Sequence, residues 1–275
     1  MKSETSKPGA VRVRALKFSG GRATPSGEFL AAEEPLEIRL GGRHFTLTMR
    51  TPGHDEDLVA GFLFAEGFIA GSDDIEEIRP VRGPRGKPEP NMIDVVLNVP
   101  ADELRERLKR NFAVTASCGI CGKTSIDSIT RRVAPPAGNA RVAPATLLSL
   151  ASAMRSRQEI FAATGGLHAA ALFELSGAML ALREDVGRHN AVDKVIGWSL
   201  AEARCPLSDA ILMVSGRLSF ELVQKAAAAG VPIVAAVSAP SSLAVELAQE
   251  IGTTVIGFLR AGGFNVYTHR ERIAP

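Results

Sequence analysis

The sequence predicts an α/β protein, α+β overall, with a smaller, mainly antiparallel N-terminal β/α domain followed by a larger α/β domain. Alternating apolar and polar residues indicate strands in the first part of the chain. In the second part, strands alternate with helices of about 10–14 residues. Between the two patterns, residues 133–144 contain three prolines and are typical of a linker. The expected domains are residues 1–135 and 145–275.

The N-terminal part is predicted to form strands and a few helices. Period-two alternation, which places apolar side chains on one face, indicates the strands. Gly41-Gly42 favours a two-residue hairpin turn, and Gly67 ends a helix whose Leu58, Phe62 and Leu63 share one face. The predicted strands are 11–18, 36–40, 43–49 and 92–97, and the predicted helices are 55–66, 101–110 and 123–132.

The C-terminal part is predicted to alternate between helices and strands after one long first helix. This order predicts a mainly parallel sheet with right-handed crossovers. Ser176-Gly177 indicates a turn between the first two strands. The predicted strands are 168–174, 178–183, 210–214, 233–237, 254–258 and 264–268, and the predicted helices are 146–163, 190–203, 219–229 and 241–251.

Composition and charge exclude several classes of protein. The 275 residues are 45% apolar and 23% charged, as in an ordinary globular chain. The net charge of +2 gives no reason to expect nonspecific nucleic-acid binding. Residues 1–8 lack the apolar core of a secretory signal, and the weakly polar stretch 226–240 is too short to span a bilayer. We expect a cytoplasmic protein that binds neither nucleic acid nor membrane.

The segment Ser-Cys-Gly-Ile-Cys-Gly, with Cys118 and Cys121, carries the strongest chemical signal. Two thiols at this spacing can chelate a metal, form a disulfide or pass sulfur as a persulfide, and each use needs a thiolate. Lys123 and the start of the predicted helix favour a lowered thiol pKa. Structural zinc needs two more ligands, and Cys205 stands alone. A glycine-rich loop with two buried thiols is the alternative.

Serine, glycine and arginine follow three successive strands in the C-terminal part. Ser215 and Arg217 follow one strand, and segments 238–242 and 258–263 follow the next two. In open α/β sheets, ligands bind at the carboxyl ends of the strands. The three segments therefore predict one shared pocket for a phosphate or ribose.

The segment Glu184–Lys194 places polar residues between a strand and a helix. Arg188, His189 and the first helical N–H groups are expected to hold a phosphate or another anion. A helix cap with surface ion pairs is the alternative. His168 either lines the same pocket or is a structural histidine.

These segments together resemble the formate dehydrogenase accessory sulfurtransferase family, FdhD, over nearly the whole chain. One segment alone would be a weak signal, but the ordered set is specific. The segments that carry the resemblance are Ser117–Gly122, Gly166–Ala171, Glu184–Lys194, Glu221–Lys225, Val237–Pro240 and Val266–His269.

The resemblance implies a sulfurtransferase that uses a cysteine persulfide. Cys118 would take sulfur from a cysteine desulfurase, assisted by Cys121, and deliver it to the molybdenum cofactor, bis-molybdopterin guanine dinucleotide, required by formate dehydrogenase. It also implies a cytoplasmic homodimer and a C-terminal domain similar to the three-layer cytidine deaminase fold. The resemblance implies that the guanine nucleotide part of the cofactor binds to Phe258, Leu259, Arg260, Ala261, Gly262 and Gly263. Ser215, Arg217, Arg188 and His189 are expected to bind its phosphate or ribose groups.

One segment departs from the family pattern. Where some members carry Lys-Pro-Gly-Arg, this chain has Arg260-Ala-Gly-Gly, with one cation.

Three other functions stay open: a metal- or cofactor-binding chaperone whose cysteines hold zinc or iron, a nucleotide deaminase, and a scaffold that docks onto the dehydrogenase. A deaminase would need a His-x-Glu motif followed by Pro-Cys-x-x-Cys, and here Ser117, not a proline, precedes Cys118. As a sulfurtransferase, the protein is expected to hold no metal of its own.

Overall fold

A computed structural model of the chain describes residues 9–100, 102–104, 106–107 and 134–274. Cys118, Cys121 and the predicted helix 123–132 lie outside the described residues, as does part of the predicted helix 101–110. The fold below is that of the remaining chain.

The N-terminal part consists of strands around one helix, as the sequence predicts. Its elements are β1 (Ala10–Ser19), β2 (Arg22–Ala31), β3 (Glu34–Leu40), β4 (Arg43–Arg50), α1 (Asp55–Ala65), a 3-10 turn (Ser72–Asp74), β5 (Ile75–Arg82) and β6 (Pro88–Leu97). The first two strands form an antiparallel ribbon, and the others form a sheet in the order β4-β3-β6-β5. Among the described strands of this sheet, only β3 and β6 pair in parallel. Helix α1 packs on this sheet through Leu58, Val59 and Leu63.

The C-terminal part is a three-layer α/β structure. Its elements are α2 (Pro144–Ser156), α3 (Glu159–Thr164), β7 (His168–Glu174), β8 (Met179–Asp185), α4 (Arg188–Ala201), β9 (Ala210–Val214), α5 (Phe220–Ala228), β10 (Ile233–Ala236), α6 (Ser242–Ile251), β11 (Thr254–Arg260), β12 (Gly263–Val266) and a 3-10 turn (Arg270–Arg272). Helices α4, α5 and α6 share one apolar core with the sheet, and α2 packs on the opposite face. In the described part of the chain, no helix is long and apolar enough to cross a membrane.

The expectation of a mainly parallel C-terminal sheet is wrong. The strand order is β12-β11-β10-β9-β7-β8, and only the β9–β10 and β10–β11 pairs are parallel. Strand β7 lies between β8 and β9 and is antiparallel to both. A short turn joins β7 to β8, and a turn of that length can only connect antiparallel strands.

The sequence did not predict strands β2 and β5 or the boundary between helices α2 and α3. Almost all of strand β2 is exposed. Because neither face of the strand is buried, its sequence does not need to alternate between apolar and polar residues. In β5, the register with β6 shifts twice, and Pro80 interrupts the pattern. The helix predicted over residues 146–163 is two separate helices, α2 and α3. The Glu184 carboxylate accepts the N–H groups of Ile160 and Phe161, and this contact begins the second helix.

Several helix ends are determined by local chemistry. Pro144 occupies the first turn of α2, where a backbone N–H group would have no partner within the helix, so proline costs no hydrogen bond there. The Ser241 hydroxyl accepts the N–H of Ala244 and caps α6. Gly165 and Gly252 end α3 and α6 in the left-handed conformation, which glycine adopts without steric conflict.

Helices α1 and α4 cross with their backbones in contact. A Cβ atom on Gly61 would overlap the carbonyl oxygen of Asp193, and one on Gly197 would overlap the carbonyl oxygen of Asp57. Glycine is required at both positions because only hydrogen fits between the two helices. This crossing joins the N-terminal part to the C-terminal part.

We expect Gly61→Ala to lower the free energy of unfolding by about 1–3 kcal/mol or more, because the added methyl group must push two backbones apart. The measurement is urea denaturation followed by circular dichroism. Gly71→Ala is the matched control, since Gly71 has open space around its Cα and an extended backbone. Equal stability of the two variants would contradict the close crossing.

Candidate functional site

The strand ends singled out in the sequence meet at one edge of the C-terminal sheet. Ser215 and Val237 follow β9 and β10, and Arg260 ends β11. His168 lies at the same edge although it begins β7, because β7 runs antiparallel to β9. Four chain segments far apart in sequence therefore meet there.

A cavity of about 920 Å³ opens at this edge, between the sheet and helices α2 and α3. This volume is within the range of small-molecule sites. Of the ten residues predicted to bind the cofactor, the cavity is lined by Ser215, Leu259, Arg260 and Ala261. The other lining residues are Ala151, Ser152, Met154, Arg155, Gln158, Phe161, Gly165, Gly166, Leu167, His168 and Val237.

The cavity lining is cationic. Among the described residues, Arg155 and Arg260 line it, no Asp or Glu does, and neither arginine forms an ion pair. Burial and the nearby Arg188 guanidinium lower the pKa of His168, so its imidazole is neutral near pH 7. The cavity therefore attracts anions through its two guanidinium groups.

Ser215 and His168 are held in place by the β7–β9 pairing. The Ser215 hydroxyl oxygen accepts the Ala169 N–H at 2.8 Å, and the Ser215 N–H donates to the Ala169 carbonyl at 2.9 Å. The hydroxyl hydrogen stays available to another acceptor. A Cβ on Gly216 would lie 3.2 Å from His168 Nδ1, so a glycine here leaves room for the imidazole.

A β-bulge shapes the β11 side of the cavity. Phe258 has a φ of 54°, and its N–H donates to the Ser238 carbonyl at 3.1 Å. The β11–β12 register shifts between Gly257 and Arg260. The Phe258 side chain is 41% exposed, whereas Leu259 is buried in the core beneath the cavity. Such bulges redirect side chains next to binding sites.

Six predicted cofactor residues are not part of the cavity lining: Arg188, His189, Arg217, Phe258, Gly262 and Gly263. Arg217 and Gly262 are exposed, and Phe258 points outward. Arg188 and His189 begin α4, on the opposite face of the sheet from α2. His189 Nε2 lies 3.7 Å from the Glu221 carboxylate. A role of these residues in binding the cofactor stays a prediction.

The rest of the Glu184–Lys194 segment forms a buried connection to the N-terminal part. Asp185 accepts the Thr51 N–H at 3.1 Å and pairs with Lys194 Nζ at 2.7 Å. Lys194 also donates to the Thr51 carbonyl at 2.9 Å, and Asn190 donates to Asp185 and to the Met49 carbonyl. Asp185 and Lys194 are buried, so the alternative of surface ion pairs does not hold for them.

A second buried cation connects three helices. Lys225 Nζ on α5 lies 2.8 Å from the Asp193 carboxylate on α4 and 3.0 Å from Glu66, which caps the end of α1. Burial opposes the charged form, but the two carboxylates prevail and raise the pKa of Lys225. The segment Glu221–Lys225 thus contributes an ion pair across the same boundary as Lys194.

The sequence interpretation missed the α2–α3 side of the cavity. Arg155, Gln158 and Phe161 lie within what the sequence predicts as one continuous helix. The helix break at Arg157 depends on Glu184, which is distant in sequence. The only sequence signal that this helix lies beside the cavity was its position directly before the glycines at 165–166.

The chain is similar to known sulfur carrier proteins. The FdhD/NarQ family model matches residues 31–274. A relative named sulfur carrier protein FdhD, from Mycolicibacterium paratuberculosis, is 50% identical over 266 residues, which are 95% of this chain and 98% of the relative. A protein of the same name from Sulfurisphaera tokodaii is 44% identical over 265 residues and covers 95% of this chain and 98% of its own length.

One solved structure has the same fold over nearly the full length. A crystal structure assigned to a formate dehydrogenase accessory protein from Desulfotalea psychrophila matches with a TM-score of 0.76 and 27% sequence identity. The match covers 97% of this chain and 100% of that chain.

We expect Lys194→Met to lower the free energy of unfolding by about 3–5 kcal/mol, because it leaves the Asp185 carboxylate buried without its cation. Chemical denaturation at pH 7 measures the change. The control is Lys87→Met on an exposed loop, which should change stability by less than about 0.5 kcal/mol. A near-zero effect of Lys194→Met would contradict the buried pair.

Cys205 is expected to be an unreactive thiol. Burial raises its pKa to about 11. In a Cys118→Ser/Cys121→Ser variant, the rate of iodoacetamide alkylation should rise about tenfold per pH unit between about pH 8 and 10, because the thiolate fraction does so below the pKa. A plateau near pH 9 would indicate an ordinary thiol instead.

Proposed function

The chain belongs to the FdhD/NarQ family, and from this premise we propose that it carries persulfide sulfur on Cys118 from a cysteine desulfurase to the molybdenum cofactor used by formate dehydrogenase. The match to the family model confirms the resemblance to this family that the sequence shows. Its closely similar relatives are named sulfur carriers, and a structural relative is assigned as a formate dehydrogenase accessory protein.

The observation that carries the proposal is the cationic cavity at the sheet edge. The cofactor substrate, bis-molybdopterin guanine dinucleotide, contains guanine nucleotides with phosphate groups. Arg155 and Arg260 offer two guanidinium groups that no carboxylate among the described lining residues neutralises. Guanidinium groups bind phosphate oxygens through paired N–H donors. The volume of about 920 Å³ suits one nucleotide part of this large substrate.

The two thiols supply the sulfur chemistry. The Cys118 thiolate attacks the terminal sulfur of the desulfurase persulfide, the sulfur–sulfur bond of that persulfide breaks, and the desulfurase thiolate leaves. The transfer exchanges one persulfide for another and needs no external oxidant. The Cys121 thiolate can then attack the Cys118 sulfur, form the Cys118–Cys121 disulfide and release the terminal sulfur as sulfide for the cofactor.

Incubation of the full chain with a cysteine desulfurase and cysteine should add about 32 Da, one sulfur atom, to the intact mass. A reductant should remove the gain. Cys118→Ala should abolish it, whereas Cys205→Ala should not, because the Cys205 thiol is protonated at neutral pH.

The alternatives give different results. A metal- or cofactor-binding chaperone would show no sulfur gain in the presence of an active desulfurase, and zinc or iron would accompany the purified protein. A docking scaffold would leave formate dehydrogenase activity intact in a cell that carries only Cys118→Ala. Either result would contradict the persulfide mechanism.

A further inference from the structure

The β1–β2 ribbon projects from the rest of the protein. Its base is held against α3, where a Cβ atom on Gly9 would overlap the Ile160 side chain. The turn at Gly20-Gly21 has open space around it, and every residue from 14 to 25 is exposed. Since each strand has ten residues, the tip of the ribbon lies about 30 Å from its base.

The outer part of the ribbon carries an apolar patch. Leu16 and Phe18 are 56% and 72% exposed, and they share one face because they are two residues apart in a strand. Pro25 and Ala23 pair with them on β2 and are exposed as well. Among the described residues, Phe18 is the most exposed of the large apolar side chains. An exposed apolar patch of this kind marks a contact with another molecule.

Four cations surround this patch. Arg14 lies two residues before Leu16 on the same face, whereas Lys17 and Arg22 lie near the turn on the other face. Together with Arg12, all of these cationic side chains are exposed. Residues 9–27 contain no Asp or Glu, so this part of the ribbon has a formal charge of +4, whereas the whole chain has a net charge of only +2.

We propose that the tip of this ribbon docks on an anionic lipid surface. Leu16 and Phe18 enter the boundary between head groups and acyl chains, and the four cations contact the head-group phosphates. An apolar face beside clustered Lys and Arg is typical of proteins that lie on membranes, because burial of the apolar side chains and attraction to anionic lipids add together. The inference goes beyond the proposed function and does not depend on the sulfur chemistry.

Charge favours a lipid surface over a second copy of this chain as the occupant. Two ribbons packed side by side would bring their cations together, and like charges at short distance repel each other. An anionic bilayer instead attracts all four cations, and each one near its surface raises the affinity by about fivefold.

The sequence expectation that the protein does not bind membranes concerns a different kind of contact. That expectation rests on the lack of an apolar stretch long enough to span a bilayer. A peripheral contact needs no such stretch, because its apolar side chains enter only about 5–10 Å into the lipid.

Co-sedimentation of the full chain with lipid vesicles tests the inference. We expect the chain to bind vesicles that contain about 30% phosphatidylglycerol about tenfold or more tightly than vesicles of phosphatidylcholine alone, because only the former attract its cations. Raising the salt concentration from about 0.1 M to about 0.5 M should weaken binding to the anionic vesicles, since salt screens these charges.

Two variants of the ribbon separate the apolar part of the contact from the ionic part. Phe18→Ser should lower the affinity for the anionic vesicles by about tenfold or more, because it removes a large apolar side chain from the lipid. Arg14→Gln/Lys17→Gln should lower it by about 25-fold, which is about fivefold for each cation.

Matched variants outside the ribbon are the controls. Leu47→Ser removes an apolar side chain that is 58% exposed, close to the exposure of Leu16. Arg85→Gln/Lys87→Gln removes two exposed cations from the loop between β5 and β6 and so changes the net charge as much as the double ribbon variant does. Neither control should change vesicle binding.

Phe18→Trp tests insertion without removing the apolar side chain, so it decides the question even if Phe18→Ser disturbs the ribbon. The unmodified chain has a single tryptophan, Trp198 on α4, and its emission spectrum is the reference. With the anionic vesicles, the emission of the variant should shift to shorter wavelength, because an inserted indole ring leaves water. Its vesicle affinity should equal that of the unmodified chain.

Three results would contradict lipid docking by the ribbon. Equal binding to the two kinds of vesicle, or no binding to either, would remove recognition of anionic lipid. Unchanged affinity in both ribbon variants, or no shift in the emission of Phe18→Trp, would assign any lipid contact to another surface. Self-association of the unmodified chain that Phe18→Ser abolishes, without vesicle binding, would make the ribbon a contact between copies of the chain.

Discussion

The crossing of α1 and α4 is the contact on which the rest of the structure depends. Gly61 and Gly197 let the two backbones touch, and at this boundary two buried lysines of the C-terminal part reach the N-terminal part. Lys194 donates to the Thr51 carbonyl, and Lys225 pairs with Glu66. Since a buried charge without its partner is strongly unfavourable, these contacts allow few other relative positions of the two parts.

The same boundary positions the cavity. Asp185 ends β8 at this boundary, and the neighbouring Glu184 carboxylate holds the first N–H groups of α3. Helix α3 in turn carries Phe161, on which Arg155 is stacked. A short chain of polar contacts therefore connects the interface between the two parts to the cationic wall of the site.

Much of the architecture follows from local sequence patterns. Period-two alternation predicts β3 and β4, and Gly41-Gly42 predicts the turn between them. Serine and arginine at the ends of β9 and β11 predict that these strand ends meet at one sheet edge, and Ser215 and Arg260 do line one cavity there. These predictions succeed because alternation, turns and caps each act over a few residues.

The sequence by itself determined the family, the secondary structure of most of the chain and the sheet edge at which the cavity opens. Only the tertiary structure decided which polar residues serve folding and which face the cavity. Asp185 and Lys194 belong to a segment that the sequence predicts to hold an anion but are buried partners of Thr51, 134 and 143 residues away. Gln158 looks like part of a helix but lines the cavity. Burial and long-range pairing assign these roles, and neither leaves a pattern over a few neighbouring residues.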